Sequence, residues 1–272
     1  MVEGRGLFGR QGGISGARQI RKPAPIGIRE EGGVRYLHFG SEWVQGAMRI
    51  SRPWSLELEY TRDLMTPLLL RSSPAWPARV LQIGLGSASI TRFLHRYRPR
   101  SRLTVVEILP DVVAAARQFF KLPDDPKRVR IEVGDGHEYL ATHEEPFDLI
   151  VVDGFDEAGR MGMLDTLSFY VNCRARLGPE GILAVNLLDR RRGSVAASSV
   201  RIGEAFDDRV LLVPPSPDGN IIALAAAGKP LRVRLPALHE RSDRLHAATG
   251  LDLAPTLARL AGRLGAKAVL AL

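Results

Sequence analysis

Four acidic or glycine signals follow one another between Val80 and Asp156: a glycine turn in VLQIGLGSAS, Glu107 closing VVE, Asp135 in VGDG, and Asp153 with Asp156 in LIVVDGFD. Gly84 and Gly86 would let the backbone turn tightly against a ligand, while the helix after them offers its N-terminus. Glu107 falls about twenty residues further on, the spacing at which an acid accepts hydrogen bonds from both hydroxyls of a ribose. Asp135 can meet an adenine amino group, and it can equally cap a helix starting near Gly136. Asp153 and Asp156, three residues apart, can converge on one cation. Such a pair would hold a substrate ammonium, and one carboxylate would take the proton that must leave before nitrogen attacks. An acidic turn capping the next helix is the other reading of the pair. The order as a whole reads as a pocket for an adenosine-bearing cofactor with acidic chemistry beside it.

Each of these acids but Asp135 and Asp156 directly ends a short apolar run, so strands must deliver them. Runs over Arg79–Ile83, Arg102–Val106, Val129–Val133, Leu149–Val152 and Ile182–Leu187 predict strands, with helices Ser89–His95, Pro110–Phe119, Gly136–Thr142 and Thr166–Leu177 between them. That alternation argues for a parallel sheet covered on both faces, with ligands at the carboxyl ends of its strands. VLLVP, PSPDG and NIIALAAA then predict an antiparallel hairpin at the sheet edge. Upstream, VRYLHFG and WVQGAMRI predict a small antiparallel sheet. SLELEYTRDLMTPLLL, with Leu56, Tyr60, Leu64 and Leu68 at helical spacing behind a Ser cap, predicts one helix leading into the main domain. Leu253, Leu257, Leu260 and Leu264 share a face of an amphipathic helix that is expected to pack on its own domain. The expected organisation is a disordered basic tail (1–24), a small N-terminal β domain with its bridging helix (25–73), the main α/β domain (74–228) and a basic helical segment (229–272).

Composition narrows the function classes. Hydrophobic residues at 45% and charged residues at 25% are ordinary globular values, which argues against wholesale disorder. Cys173 is the single cysteine, and no charged start followed by an apolar run marks a secretory signal, so a reducing cytoplasm is the expected compartment. Apolar runs such as Ile221–Ala227 fall far short of the roughly 20 residues a spanning helix requires, so no membrane segment is expected. The net charge of +8 is carried by the ends of the chain, and aromatics are only 6%, so nucleic acid is not the expected partner. Six scattered histidines and one cysteine offer no metal-ligand spacing.

VLQIGLGSAS, VVEILPDVV, VGDGHEYL, FDLIVVDGFD and FYVNCRARLGPEGILAVNL together resemble the spermidine synthase family of aminopropyltransferases, over roughly residues 34–228, and VQGAMRI and LELEY resemble that family's N-terminal cap and bridging segment. The closing hairpin also resembles the class I S-adenosylmethionine-dependent transferases rather than an all-parallel dinucleotide sheet. The resemblance implies that Rossmann-like α/β fold with a small N-terminal antiparallel β domain, and a homodimer or higher homo-oligomer. It implies an in-line displacement in which a small amine attacks a carbon on the sulfonium of decarboxylated S-adenosylmethionine, with no metal. By the same resemblance Gln45, Gly84, Gly86, Ser87, Glu107, Asp135 and Gly136 would contact the cofactor, with Glu107 on the ribose and Asp135 on the adenine. Asp153 would be the base, and Asp156 and Tyr60 would bind the amine.

This sequence departs from the family at four places. The acid of G-G-G-D-G-G is Ser87; D-S-S-D-P reads Asp153, Gly154, Phe155, Asp156, Glu157; the Tyr-His or Tyr-Gln pair reads Tyr60 and Thr61; and the tyrosine of P-T-Y-P-S-G-Q is Ser216. Loss of the acid at Ser87 would lift a like-charge penalty against intact S-adenosylmethionine, so a methyltransferase is a second reading. A nucleoside-binding or oligomeric homologue without catalysis is a third.

Overall fold

A computed structural model describes residues 25–40, 43–156, 158–188, 193–265 and 269–272; the expected basic tail lies outside them. Strands β1 (Ile26–Glu31), β2 (Val34–Phe39) and β3 (Val44–Arg49) form an antiparallel sheet in that order. The expected bridging helix is instead two short ones, α1 (Glu59–Asp63) and α2 (Pro67–Leu70). Pro67 has no N–H to continue the ladder, and it starts α2 where its fixed φ is tolerated. Ser55 is not the cap; Leu58 precedes α1 in extended backbone.

The main sheet alternates strands and helices as β4 (Arg79–Ile83), α3 (Ser89–Tyr97), β5 (Arg102–Glu107), α4 (Pro110–Phe119), β6 (Val129–Val133), α5 (Gly136–Thr142), β7 (Phe147–Val152), α6 (Leu167–Arg176) and β8 (Leu177–Leu188). Helix α7 (Ser194–Ala205), which the sequence reading omitted, leads to β9 (Val210–Val213) and β10 (Asn220–Ala226). The strand order is β6-β5-β4-β7-β8-β10-β9. The five strands from β6 to β8 are parallel, and β10 enters antiparallel between β8 and β9. Chain order reverses direction between β4 and β7, and such a reversal opens a crevice at the carboxyl edge.

Side chains alternate across this sheet. Val80, Leu149, Val151, Ile182 and Ala184 face a core with α2 and α3, while Leu81, Ile83, Ile150, Val152, Leu183 and Val185 face one with α5, α6 and α7. Each large apolar side chain fully buried this way contributes about 1.5–3 kcal/mol, so strand register is strongly fixed.

The C-terminal segment adds β11 (Arg232–Arg234), α8 (Leu235–Thr249), α9 (Ala254–Leu264) and β12 (Val269–Ala271), with β11 and β12 paired antiparallel. As expected of an amphipathic helix, Leu257 and Leu260 of α9 are buried in the first core, together with Leu253 just before it. Arg259 of α9 reaches α1, pairing with Asp63 at 2.5 Å and with Glu59, and its Nε donates to the Pro214 carbonyl at the end of β9.

A buried arginine joins the N-terminal sheet region to the first glycine turn. Arg92 of α3 is 4% exposed and donates to the carbonyls of Pro53 and Phe120, each at 2.6 Å, and to that of Ser87. Arg92→Met is expected to leave these carbonyls unsatisfied at about 1–3 kcal/mol each, a loss readable as a lower urea midpoint.

Candidate active site

The carboxyl ends of β4, β5, β7 and β8, the turns after them and the start of β10 surround a cavity of about 750 Å³. Gly84 directly follows β4 at φ +88°, and a Cβ there would lie 2.1 Å from the Asp153 carbonyl oxygen. Only glycine permits that approach, which presses the first turn against the end of β7. Gly84→Ala is therefore expected to cost about 1–3 kcal/mol from backbone conformation alone, and more from the clash, as a lowered melting temperature with weaker nucleoside binding.

On one side of this contact stand the residues read as a nucleoside pocket. Glu107 accepts from the Leu85 N–H at 2.8 Å and the Leu109 N–H at 3.0 Å, one on each oxygen. Burial raises its pKa; backbone N–H groups of Leu85, Leu109, Gly86 and Ile108 oppose the rise without cancelling it. The carboxylate is thus fixed at the wall, with lone pairs left for hydroxyl donors. Asp135 caps α5, its Oδ1 accepting from the His137 N–H at 2.7 Å and the Glu138 N–H at 3.2 Å, and Oδ2 takes no part in the cap. A Cβ on Gly136 would sit 2.5 Å from Ile83 Cγ2, so the helix start packs directly on β4. Gln45, Trp43 and Val44 of the N-terminal sheet region close the cavity from above.

Across the contact, Asp153 is partly buried, and its Oδ1 accepts from Asn186 Nδ2 at 2.9 Å. Asn186 Oδ1 in turn accepts from Asn220 Nδ2 at 3.0 Å, so a relay crosses from β10 through β8 to the end of β7. Burial pushes the Asp153 pKa up; hydrogen bonds from Asn186 and Tyr60 draw it partly back, and the Glu107 charge raises it further. Tyr60 lies against the same carboxylate, and burial followed by the Asp153 charge pushes its phenol well above the usual value. A carboxylate so held can accept a proton at higher pH than an ordinary aspartate.

Asp153 and Asp156 line the same cavity but do not share a partner. Asp156 Oδ1 accepts from the Ala158 and Arg160 N–H groups, both at 2.9 Å, and Oδ2 pairs with the Arg160 guanidinium at 2.7 Å. Slight burial raises the Asp156 pKa, but Arg160 outweighs it and the net shift is downward. Ser87 turns away from the cavity lining: it is 3% exposed, with its hydroxyl 2.9 Å from Ser89 Oγ and 3.3 Å from the Ala47 carbonyl. Thr61 donates to Leu58 O at 2.6 Å, and Ser216 is buried with its hydroxyl unpartnered among the described residues. Neither lines the cavity.

Sequence reasoning missed Asn186, Asn220, Arg160 and Asp218, all of which line this cavity. Asn186 had a legible signal, as the one polar residue in the apolar run ILAVNLL. Five carboxylates, Glu107, Asp135, Asp153, Asp156 and Asp218, therefore face the cavity against Arg160. In a chain of net charge +8 this is a local field that attracts cations. Among the described residues no group of three or more His, Cys, Asp or Glu is arranged to hold a metal ion, and no helix is long and apolar enough to cross a membrane.

Comparison with known proteins decides the family. The spermine/spermidine synthase domain model matches residues 57–187. A polyamine aminopropyltransferase of Neisseria meningitidis serogroup A is 37% identical over 237 residues, covering 86% of this chain and 88% of that protein. The chain belongs to the spermine/spermidine synthase family. A polyamine aminopropyltransferase of Chromobacterium violaceum is 35% identical with the same coverage of both chains. Among solved structures, this spermine/spermidine synthase family member superposes on a probable spermidine synthase from Corynebacterium glutamicum with a TM-score of 0.63, at 23% identity over 74% of this chain and 76% of the other. It superposes on human methyltransferase-like protein 13 in complex with SAH with a TM-score of 0.64, at 22% identity over 71% of this chain and 93% of the other. The latter two likenesses speak for the fold that the two groups share.

Proposed function

We propose that the protein is an aminopropyltransferase, moving an aminopropyl group from decarboxylated S-adenosylmethionine to a small di- or polyamine. The observation that carries this reading is Asp153, oriented by Asn186, faced by Tyr60 and raised in pKa, in a cavity of five carboxylates within this family. Glu107 would accept the ribose hydroxyls and the free oxygen of Asp135 would face the adenine, with Gly84, Gly86, Gly136 and Gln45 at the nucleoside. The sulfonium activates the carbon to be attacked. Asp153 takes the proton of the acceptor ammonium, the freed nitrogen forms the new N–C bond, and the C–S electron pair stays on sulfur as the neutral thioether leaves. Holding the reactants in line accounts for much of the expected acceleration.

Intact S-adenosylmethionine fits less well. Its carboxylate would enter a cavity lined by Glu107, Asp135, Asp153, Asp156 and Asp218, a like-charge penalty that the neutral Ser87 does not remove. Calorimetry is expected to give tighter binding of the decarboxylated form; equal or reversed affinities would revive methyl transfer. Purified protein given decarboxylated S-adenosylmethionine and a panel of diamines is expected to release methylthioadenosine, and no release with any of them would overturn the proposal. The same reading includes a homo-oligomer in the cytoplasm, formed by strand pairing of the N-terminal sheet and tested by light scattering.

A further inference from the structure

Asp218 sits in a β-turn whose Ser216 carbonyl accepts from the Gly219 N–H at 2.9 Å, with Pro217 at the second position and Asp218 at the third. Proline there fixes the backbone angle before any ligand arrives. The turn is fastened at both ends: Ser216 N–H donates to Asn220 O at 3.0 Å, and Arg259 holds the Pro214 carbonyl. Asp218 lines the cavity, and among the described residues its carboxylate has neither an ion-pair nor a hydrogen-bond partner.

Asp156 is the opposite case. Its four acceptor positions are taken by two backbone N–H groups and the two nitrogens of the Arg160 fork. An ammonium arriving there must displace that fork and meet its positive charge.

The geometry points to Asp218, rather than Asp156, as the group that receives the distal ammonium of the acceptor, with the attacking nitrogen at Asp153. This rests on the reading of the cavity as a site of amine alkylation. Asp153 directly follows β7 and Asn220, two residues past Asp218, begins β10, with β8 between them. Two strand spacings are roughly 10 Å, a gap that side chains reaching inward narrow to the span of a short α,ω-diamine. The acceptor class is therefore a short aliphatic diamine in preference to a monoamine.

The test is calorimetric titration of 1,4-diaminobutane and of butylamine onto protein saturated with methylthioadenosine, which needs no turnover. Asp218→Asn is expected to weaken 1,4-diaminobutane about tenfold to a hundredfold, the loss of one charge-assisted hydrogen bond, and to change butylamine by less than about twofold. Asp156→Asn/Arg160→Gln, which removes a neutral pair, is expected to retain diamine binding within about threefold. The assignment is overturned if Asp218→Asn binds diamine normally or also loses methylthioadenosine. It is likewise overturned if the double variant loses diamine binding, or if the wild type binds diamine no tighter than butylamine. A wild type that binds diamine through Asp218 but releases no methylthioadenosine overturns the transferase reading and leaves this assignment standing.

Discussion

Asp153→Asn is expected to lower kcat by about 10²- to 10⁴-fold, the usual contribution of a positioned general base, while raising the melting temperature at pH above the folded pKa of Asp153. The amide oxygen can still accept from Asn186, so the relay to Asn220 survives, while proton acceptance and the charged acceptor for Tyr60 are lost. The stability gain follows from linkage. Burial raises the folded-state pKa of Asp153, so its stabilising contribution is complete below the unfolded pKa and is lost as pH rises through the folded value. Above that folded value the wild type carries a buried charge that the variant lacks. The acid limb of kcat/KM should lie above the ordinary carboxylate range in the wild type and disappear in the variant. A kcat within about threefold of wild type would remove Asp153 from the chemistry, since even modest base catalysis exceeds that.

Arg259→Ala is expected to cost about 3–5 kcal/mol, because it strands Asp63 without its cation. Asp63 is 1% exposed, and the other support of its carboxylate is the Thr256 hydroxyl. At about 2–4 °C per kcal/mol for a chain of this size, the melting temperature should fall by roughly 10 °C. Burial already holds the Asp63 pKa high against the pull of Thr256 and Arg259. Losing Arg259 raises it further, so the deficit should be largest at neutral pH and shrink as acid protonates the carboxyl. A deficit independent of pH would mean that lost packing of α9, not the stranded charge, dominates. Since α1 also carries Tyr60, acceptor KM should rise along with the loss of stability.

The main sheet was legible because its strands are buried on both faces and read as short apolar runs between helix starts. Pro110 and the acid before Gly136 placed α4 and α5 correctly for local reasons, a preset φ and a cap. The bridging segment was misread because Leu56, Tyr60, Leu64 and Leu68 do recur at helical spacing, yet Pro67 divides them and the chain bends around the core. At the site, spacing identified which acids gather but not where each side chain points. Asp153 and Asp156 are three residues apart and still take different partners, because the backbone after Asp156 turns back, Gly159 N–H donating to Asp156 O and Asp156 N–H to Arg160 O, and brings Arg160 onto its carboxylate. Asn186 and Asn220 meet only because β10 runs antiparallel beside β8, a pairing that no local pattern encodes.

The reversal of strand order between β4 and β7 also divides the labour of the cavity. Glu107 and Asp135 hang from the β5 and β6 side, whereas Asp153, Asn186, Asp218 and Asn220 hang from the β7, β8 and β10 side, and the seam is the Gly84–Asp153 backbone contact. On the proposed reading, donor and acceptor would be held by separate sides of the sheet that can change independently. The turn from Ser216 to Gly219 is the natural cassette for exchange: a transplanted turn would alter which amine is used and leave the nucleoside half of the sheet untouched.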